Sequence, residues 1–221
     1  MRTYQVNITG KTALLMHWDN IDWADEMKAW QTDPSNRGKS AAGDDRTPAW
    51  RWVGCVYNDE KYVTMPSDNL MRCLMEGGAM IPVPGGKNGK TFKSLTQSGM
   101  AVSDEHWRLI ADGKPIAWSD ITALMQEEEF KQHVTRAREL GFRLFTKRAK
   151  VGTSKHIRVR PRFDNWSLSG HLNVWDDKIT ETILRDVLTY AGNYKGLGDW
   201  RPSAPKSPGC FGMFDAVIKK V

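Results

Sequence analysis

The last quarter of the chain constrains the fold most. Trp166, Leu168, Gly170, Leu172 and Val174 occupy alternate positions, the period-2 pattern of a strand with one face against a core. Asp176-Asp177 turns the chain, and Thr180 caps a predicted helix whose Ile183, Leu184, Val187 and Leu188 form one apolar stripe ending at Ala191-Gly192. A glycine- and proline-rich segment, residues 193–209, then leads to a final strand predicted over 210–218. Strand, helix and strand in this order make one half of a split βαβ arrangement.

The other half starts at the N-terminus. Tyr4, Val6 and Ile8 alternate in a strand predicted over 2–9 and ended by Gly10. Pro66 and Ser67 open a helix, with Ser67 as N-cap, whose Leu70, Met71, Leu74 and Met75 keep helical spacing until Gly77-Gly78. Strand patterns return over 142–150 and 155–163. Read in order, these elements predict an α+β fold: a ferredoxin-like (split βαβ, RRM-like) antiparallel sheet with helices on one face. Residues 1–221 then form one domain with insertions at about 18–65 and 82–140. The first insertion carries an acidic piece with Trp23, Met27 and Trp30, a polar loop over 33–48 that includes Ser40, and a hairpin predicted from 50–57 and 62–65 across Asn58-Asp59. The second opens with a basic loop at 81–90 and holds a helix predicted over 119–133.

Charge narrows the function. The chain carries a formal +6 with a pI near 9.2, which favours polyanionic partners. The excess is local, because residues 131–162 hold eleven lysines and arginines against one acid, Glu139. Arg158, Arg160 and Arg162 alternate there, so they share a strand face and can meet successive phosphates, with no acid between them to pair with. Lys147, Arg148, Lys150 and Lys155 extend the patch, and Lys87, Lys90 and Lys93 add a basic loop. In the glycine-rich segment, Gly196 and Gly198 allow close backbone approach while Trp200, Arg201 and Lys206 suit stacking and phosphate contact. This is not a phosphate-cradling P-loop, which needs a strand before it and a helix after; the order here is the reverse.

Other chemistries find little support. Cys55, Cys73 and Cys210 show no paired spacing, and the five histidines show no ligand spacing, so no metal and no cofactor are expected. No apolar run reaches membrane-spanning length and no signal segment is visible, so the expected setting is the cytoplasm, away from membranes. The chain reads as a binding protein rather than an enzyme. Asp44 and Asp45, with Asp19, Asp22, Asp25 and Glu26, are its candidates for holding magnesium or attacking RNA, in a stretch without a base partner.

Two stretches carry a family resemblance. Tyr62-Val-Thr-Met-Pro-Ser-Asp-Asn-Leu-Met-Arg-Cys-Leu-Met-Glu76 is similar to the strand, turn and arginine-ended helix of the RAMP superfamily, with Pro66, Ser67, Leu70 and Arg72 matching and Asp68 and Asn69 departing. Gly196-Leu-Gly198 and Gly209-Cys-Phe-Gly212 resemble that family's glycine-rich signature before the last strand. The resemblance implies a subunit like those that coat RNA in CRISPR effector complexes: a nucleic-acid-holding palm, a thumb from residues 33–48 or 87–93, and side-by-side assembly as a homo-oligomer or ribonucleoprotein subunit. The expected function is therefore sequence-independent binding of single-stranded RNA, or of single-stranded DNA. Loop-aspartate RNA cleavage, known within the family, is one alternative. The other is a non-catalytic module that mimics such a subunit and binds a protein through the tryptophan-rich residues 18–52. Trp200-Arg-Pro and Pro205-Lys-Ser-Pro208 set the chain apart as a divergent branch, of the kind found in phages or mobile elements.

Overall fold

The alternation that marks residues 2–9 and 166–175 builds the centre of the main sheet. The computed structural model describes every residue except Ser40, Ala41 and Asn88 and the side chain of Val151. Its elements are β1 (Arg2–Gly10), β2 (Leu14–Leu15), α1 (Ile21–Thr32), β3 (Thr64–Pro66), α2 (Ser67–Gly78), α3 (Lys93–Gly99), β4 (Met100–Val102), β5 (His106–Ala111), β6 (Lys114–Pro115), α4 (Trp118–Ala123), α5 (Phe130–Glu139), β7 (Arg143–Val151), β8 (Ser154–Phe163), β9 (Trp166–Val174), α6 (Glu181–Tyr190) and β10 (Phe214–Lys220). The fold is α+β with antiparallel sheets. Two compact units share the chain: Met1–Leu14, Thr64–Pro115 and Asp164–Val221 form the first, and Leu15–Val63 and Ile116–Phe163 the second.

In the first unit the main sheet runs β10-β1-β9-β5-β3, with β4 also paired to β9; β1 pairs antiparallel with β10 and β9, as do β4 and β5 with β9 and β3 with β5. Tyr4, Val6 and Ile8 stand opposite Leu172, Gly170 and Leu168, and all but the glycine are core side chains. Leu70, Cys73 and Leu74 of α2 and Leu184, Val187 and Leu188 of α6 are buried with them. Each large apolar side chain so buried contributes roughly 1.5–3 kcal/mol of transfer free energy. Thr180 caps α6 as its sequence position requires, its Oγ accepting from the Ile183 N–H at 3.3 Å.

One assignment changes. The sequence reading gave strand places in the main sheet to the arginine-bearing residues 155–163, but β5 fills the position beside β9. Asp112 N–H donates to the Asn165 carbonyl at 3.0 Å and Asn165 Nδ2 to Asp112 Oδ1 at 2.8 Å, which fastens the end of β5 to the start of β9. Trp107, Leu109 and Ala111 give β5 the alternation of a half-buried strand, in a stretch of only six residues.

In the second unit β7 and β8 pair along their full length, and β2, where the chain crosses from one unit to the next, completes a three-stranded sheet β2-β8-β7. Its core stacks Phe142 on Phe163 at 5.4 Å between ring centres and sets Trp52 against Phe142 at 5.6 Å. The strand expected over 50–57 is instead a 3₁₀ helix, Ala49–Cys55. Its buried residues Ala49, Trp52 and Val53 are three and four apart, a helical and not a strand spacing. A helix, α1, forms where the sequence reading saw only an acidic piece; Asn20 caps it through the N–H groups of Asp22 and Trp23. The helix expected over 119–133 breaks at residues 127–129, where His133 Nε2 lies 2.9 Å from the Glu127 carbonyl. Among the described residues no helix is long and apolar enough to cross a membrane.

Candidate nucleic-acid interface

The β7–β8 hairpin carries eight lysines and arginines between residues 143 and 162 and no acid. Strand register decides how they meet. Arg143 stands opposite Arg162, Lys147 opposite Arg158 and Lys150 opposite Lys155. Like charges directly across a strand pair oppose pairing unless an anion neutralises them, as Asp45 does for Arg158. Arg148, Lys150 and Lys155 are exposed near the tip, on the face of the hairpin whose base buries Leu144 and Val159. On the opposite face the Arg162 guanidinium lies over the Phe145 ring at 5.7 Å.

The alternating arginines do not share one environment, and they have an acidic partner. The Gly43 carbonyl accepts from Ile157 N–H at 2.7 Å and Asp45 N–H donates to the Ile157 carbonyl at 3.0 Å, so residues 43–45 run beside β8. This puts the buried Asp45 carboxylate among three guanidiniums: Arg158 Nη1 at 3.0 Å, Arg51 Nη2 at 3.4 Å and Arg160 Nη1 at 3.5 Å. Arg160 is only 7% exposed. The sequence-based expectation of three solvent-facing arginines without a counterion is therefore corrected. The counterion sits more than a hundred residues away in the chain, where local sequence reading does not reach.

Asp44 faces the other way, toward Arg46 at 2.6 Å; that hydrogen bond holds its carboxyl below the usual carboxylate range despite partial burial. Both of these aspartates thus hold arginines. Asp44 and Arg46 border an open cleft of about 630 Å³ that Trp30, Trp50 and Phe130 also line. Trp30 and Trp50 belong to the tryptophan cluster of the sequence, whereas Trp52 is core. Arg46 and Arg51 escaped the sequence reading because their importance comes from Asp44 and Asp45, which only the fold brings to β8.

The glycine-rich segment, in the first unit, is folded onto itself. Gly196 and Gly198 both adopt positive φ, at 71° and 76°. Arg201 donates from Nε to Ser203 Oγ at 3.0 Å and from Nη1 to the Gly198 carbonyl at 3.1 Å, and Trp200 N–H is bound by Asp199 Oδ1 at 2.9 Å. A Cβ on Gly212 would run into the Leu197 carbonyl, so this glycine serves chain-on-chain packing. Beneath the segment, Cys73 Sγ meets the Gly196 carbonyl at 3.2 Å, and burial pushes its thiol up to about 12. Burial works against the Glu76 charge, but hydrogen bonds from Arg72 and Ser203 and the nearby Arg201 outweigh it and hold this carboxyl below its usual range. Lys206 is exposed, as are Lys87, Lys90 and Lys93 in and beside the other basic loop.

The outer face of the main sheet pairs Thr3 with Asn173, Gln5 with His171 and Asn7 with Ser169. These rungs are polar and carry no Phe, Tyr or Trp, the large rings on which many RNA-binding sheets stack bases. Among the described residues no group of three or more His, Cys, Asp and Glu side chains is arranged to hold a metal ion. No protein-family model matches the chain, and comparison with curated proteins finds no match.

Proposed function

We propose that this protein binds single-stranded nucleic acid along its phosphate backbone through the β7–β8 hairpin. One observation carries the reading: the exposed end of the hairpin sets Lys150 opposite Lys155 with Arg148 on the same face. These three like charges repel one another, and a polyanion laid along the strand ends relieves them while releasing its own counterions. The polar rungs of the main sheet, which carry no Phe, Tyr or Trp, fit sequence-independent backbone contact better than base readout.

RNA is the favoured strand because of the RAMP resemblance. The strand order β10-β1-β9-β5 with α2 and α6 between its strands supports a ferredoxin-like assignment, which that resemblance also implies. Within it, β10 lies at the sheet edge with Val217 exposed, which suits side-by-side assembly of copies along a strand. Gel shifts on single-stranded RNA and DNA oligonucleotides across a salt series test the proposal. With four phosphates contacted, a slope of about −0.7 per contact predicts roughly 50-fold weaker binding between about 50 and about 200 mM salt. Failure to bind either oligonucleotide at low salt would refute it.

A further inference from the structure

We propose that the cavity around Asp45 is an oxyanion site that takes a single phosphate group. His17, Asp45, Arg51, Trp52, Cys55, Arg158, Val159 and Arg160 enclose about 110 Å³, and Asp45 is the one acid among them. A water needs roughly 10–15 Å³ of such space, so the cavity has room for one tetrahedral oxyanion with a water or two. Three guanidiniums converge on Asp45, although a single well-placed one would satisfy a carboxylate.

Excess positive charge in a partly buried place is costly unless an anion joins it. The side chains are 9% exposed for Arg160, 27% for Arg158 and 33% for Arg51, so the cluster is shielded but open to solvent on one side. Arg160 Nη2 lies 3.2 Å from His17 Nε2; since arginine only donates, this imidazole nitrogen accepts, and its proton resides on Nδ1. The site rests on this geometry and does not depend on the strand-binding reading. Its phosphate group can belong to a bound strand or be free in solution, and the same cavity chemistry serves both.

The test uses the whole protein with inorganic phosphate, against chloride at matched ionic strength. At phosphate about tenfold above its dissociation constant, the unfolding midpoint is expected to rise by roughly 3–6 °C, and alkylation of Cys55 in the cavity wall to slow. Arg51→Gln leaves Arg158 and Arg160 on Asp45, and should remove both effects. Equal midpoints and equal Cys55 labelling in phosphate and chloride would overturn the proposal, as would an Arg51→Gln protein that keeps the full response. If that variant is poorly folded, the two wild-type readouts still decide. A single-stranded RNA oligonucleotide forms the second arm. Cys55 protection by oligonucleotide as well as phosphate assigns the site to a strand phosphate, and protection by phosphate alone assigns it to a free oxyanion. Oligonucleotide binding in the absence of any phosphate effect would refute the site while leaving the strand-binding proposal standing.

Discussion

The β7–β8 hairpin and the segment 196–212 both set cations beside glycine turns, yet their polar groups face different things. Strand pairing satisfies the hairpin backbone from Arg143 to Arg162, which leaves Arg148, Lys150 and Lys155 directed at solvent. Segment 196–212 has no strand ladder, so its side chains serve its own backbone, with Arg201 on the Gly198 carbonyl and Asp199 on the Trp200 N–H. Buried backbone groups must find partners somewhere. At the hairpin tip, where strand pairing supplies them, cations remain available for ligands; in the glycine-rich segment the same residue types are absorbed into the fold.

The largest expected effect tests the counterion of the hairpin. Asp45→Ala leaves three guanidiniums without their shared carboxylate, and should cost about 3–5 kcal/mol in denaturant unfolding. Arg148→Gln at the exposed tip should stay within about 0.5 kcal/mol. Equal losses from the two would break the distinction between the anchored and the outward parts of this hairpin. Next comes a pair of glycines with the same backbone sign. Gly212→Ala, at φ 70° and against the Leu197 carbonyl, should cost about 2–4 kcal/mol. Gly152→Ala, at φ 61° in the hairpin turn with open space around it, should cost only the left-handed strain of about 1 kcal/mol.

A smaller effect concerns binding. Neutralising Arg148, Lys150 and Lys155 together to Gln should flatten the salt dependence of oligonucleotide affinity by about 2 in log–log slope. The pair Arg201→Gln and Lys206→Gln should change that slope by less than about 1, because Arg201 is held by its own loop. Similar changes in both would restore the glycine-rich segment as a contact surface.

What was legible in the sequence follows the same division. The period-2 strands β1 and β9 and the helix capped by Thr180 came through because burial on one face writes its period into the residues. The hairpin was visible as two strands, although its place outside the main sheet was not, since the Asp112–Asn165 contact that brings in β5 joins residues 53 apart. α1 carried its signal in the spacing of Trp23, Met27 and Trp30, but none of its residues is fully buried, so its apolar stripe is thin. The Asp45 cluster was least legible. Arg158 and Arg160 meet an aspartate 113 and 115 positions earlier, and only the pairing of residues 43–45 with β8 connects them.

Acid should act on the two regions at different pH. In the second unit, Trp52 Nε1 can only donate, so His133 Nδ1 accepts at 3.0 Å and Nε2–H donates to the Glu127 carbonyl. Burial, the largest cause, disfavours the charged ring and sets its pKa below the ordinary 6.5, against a weaker opposing pull from Glu127. A group depressed in the folded state is stabilising above its unfolded pKa, and that contribution is lost as pH falls through the folded value. The second unit should therefore begin to loosen as pH drops below about 6.5. Glu76, beneath the glycine-rich segment, obeys the same sign from a lower start, so its contribution fades only below the ordinary 4.5. Hydrogen exchange at pH 7, 5.5 and 4 should show the hairpin amides losing protection before those of α2 and residues 196–212. His133→Gln should flatten the first step and leave the second in place. Simultaneous loosening of both regions, or a first step unchanged in that variant, would remove His133 as the element that makes the hairpin unit the more acid-sensitive of the two.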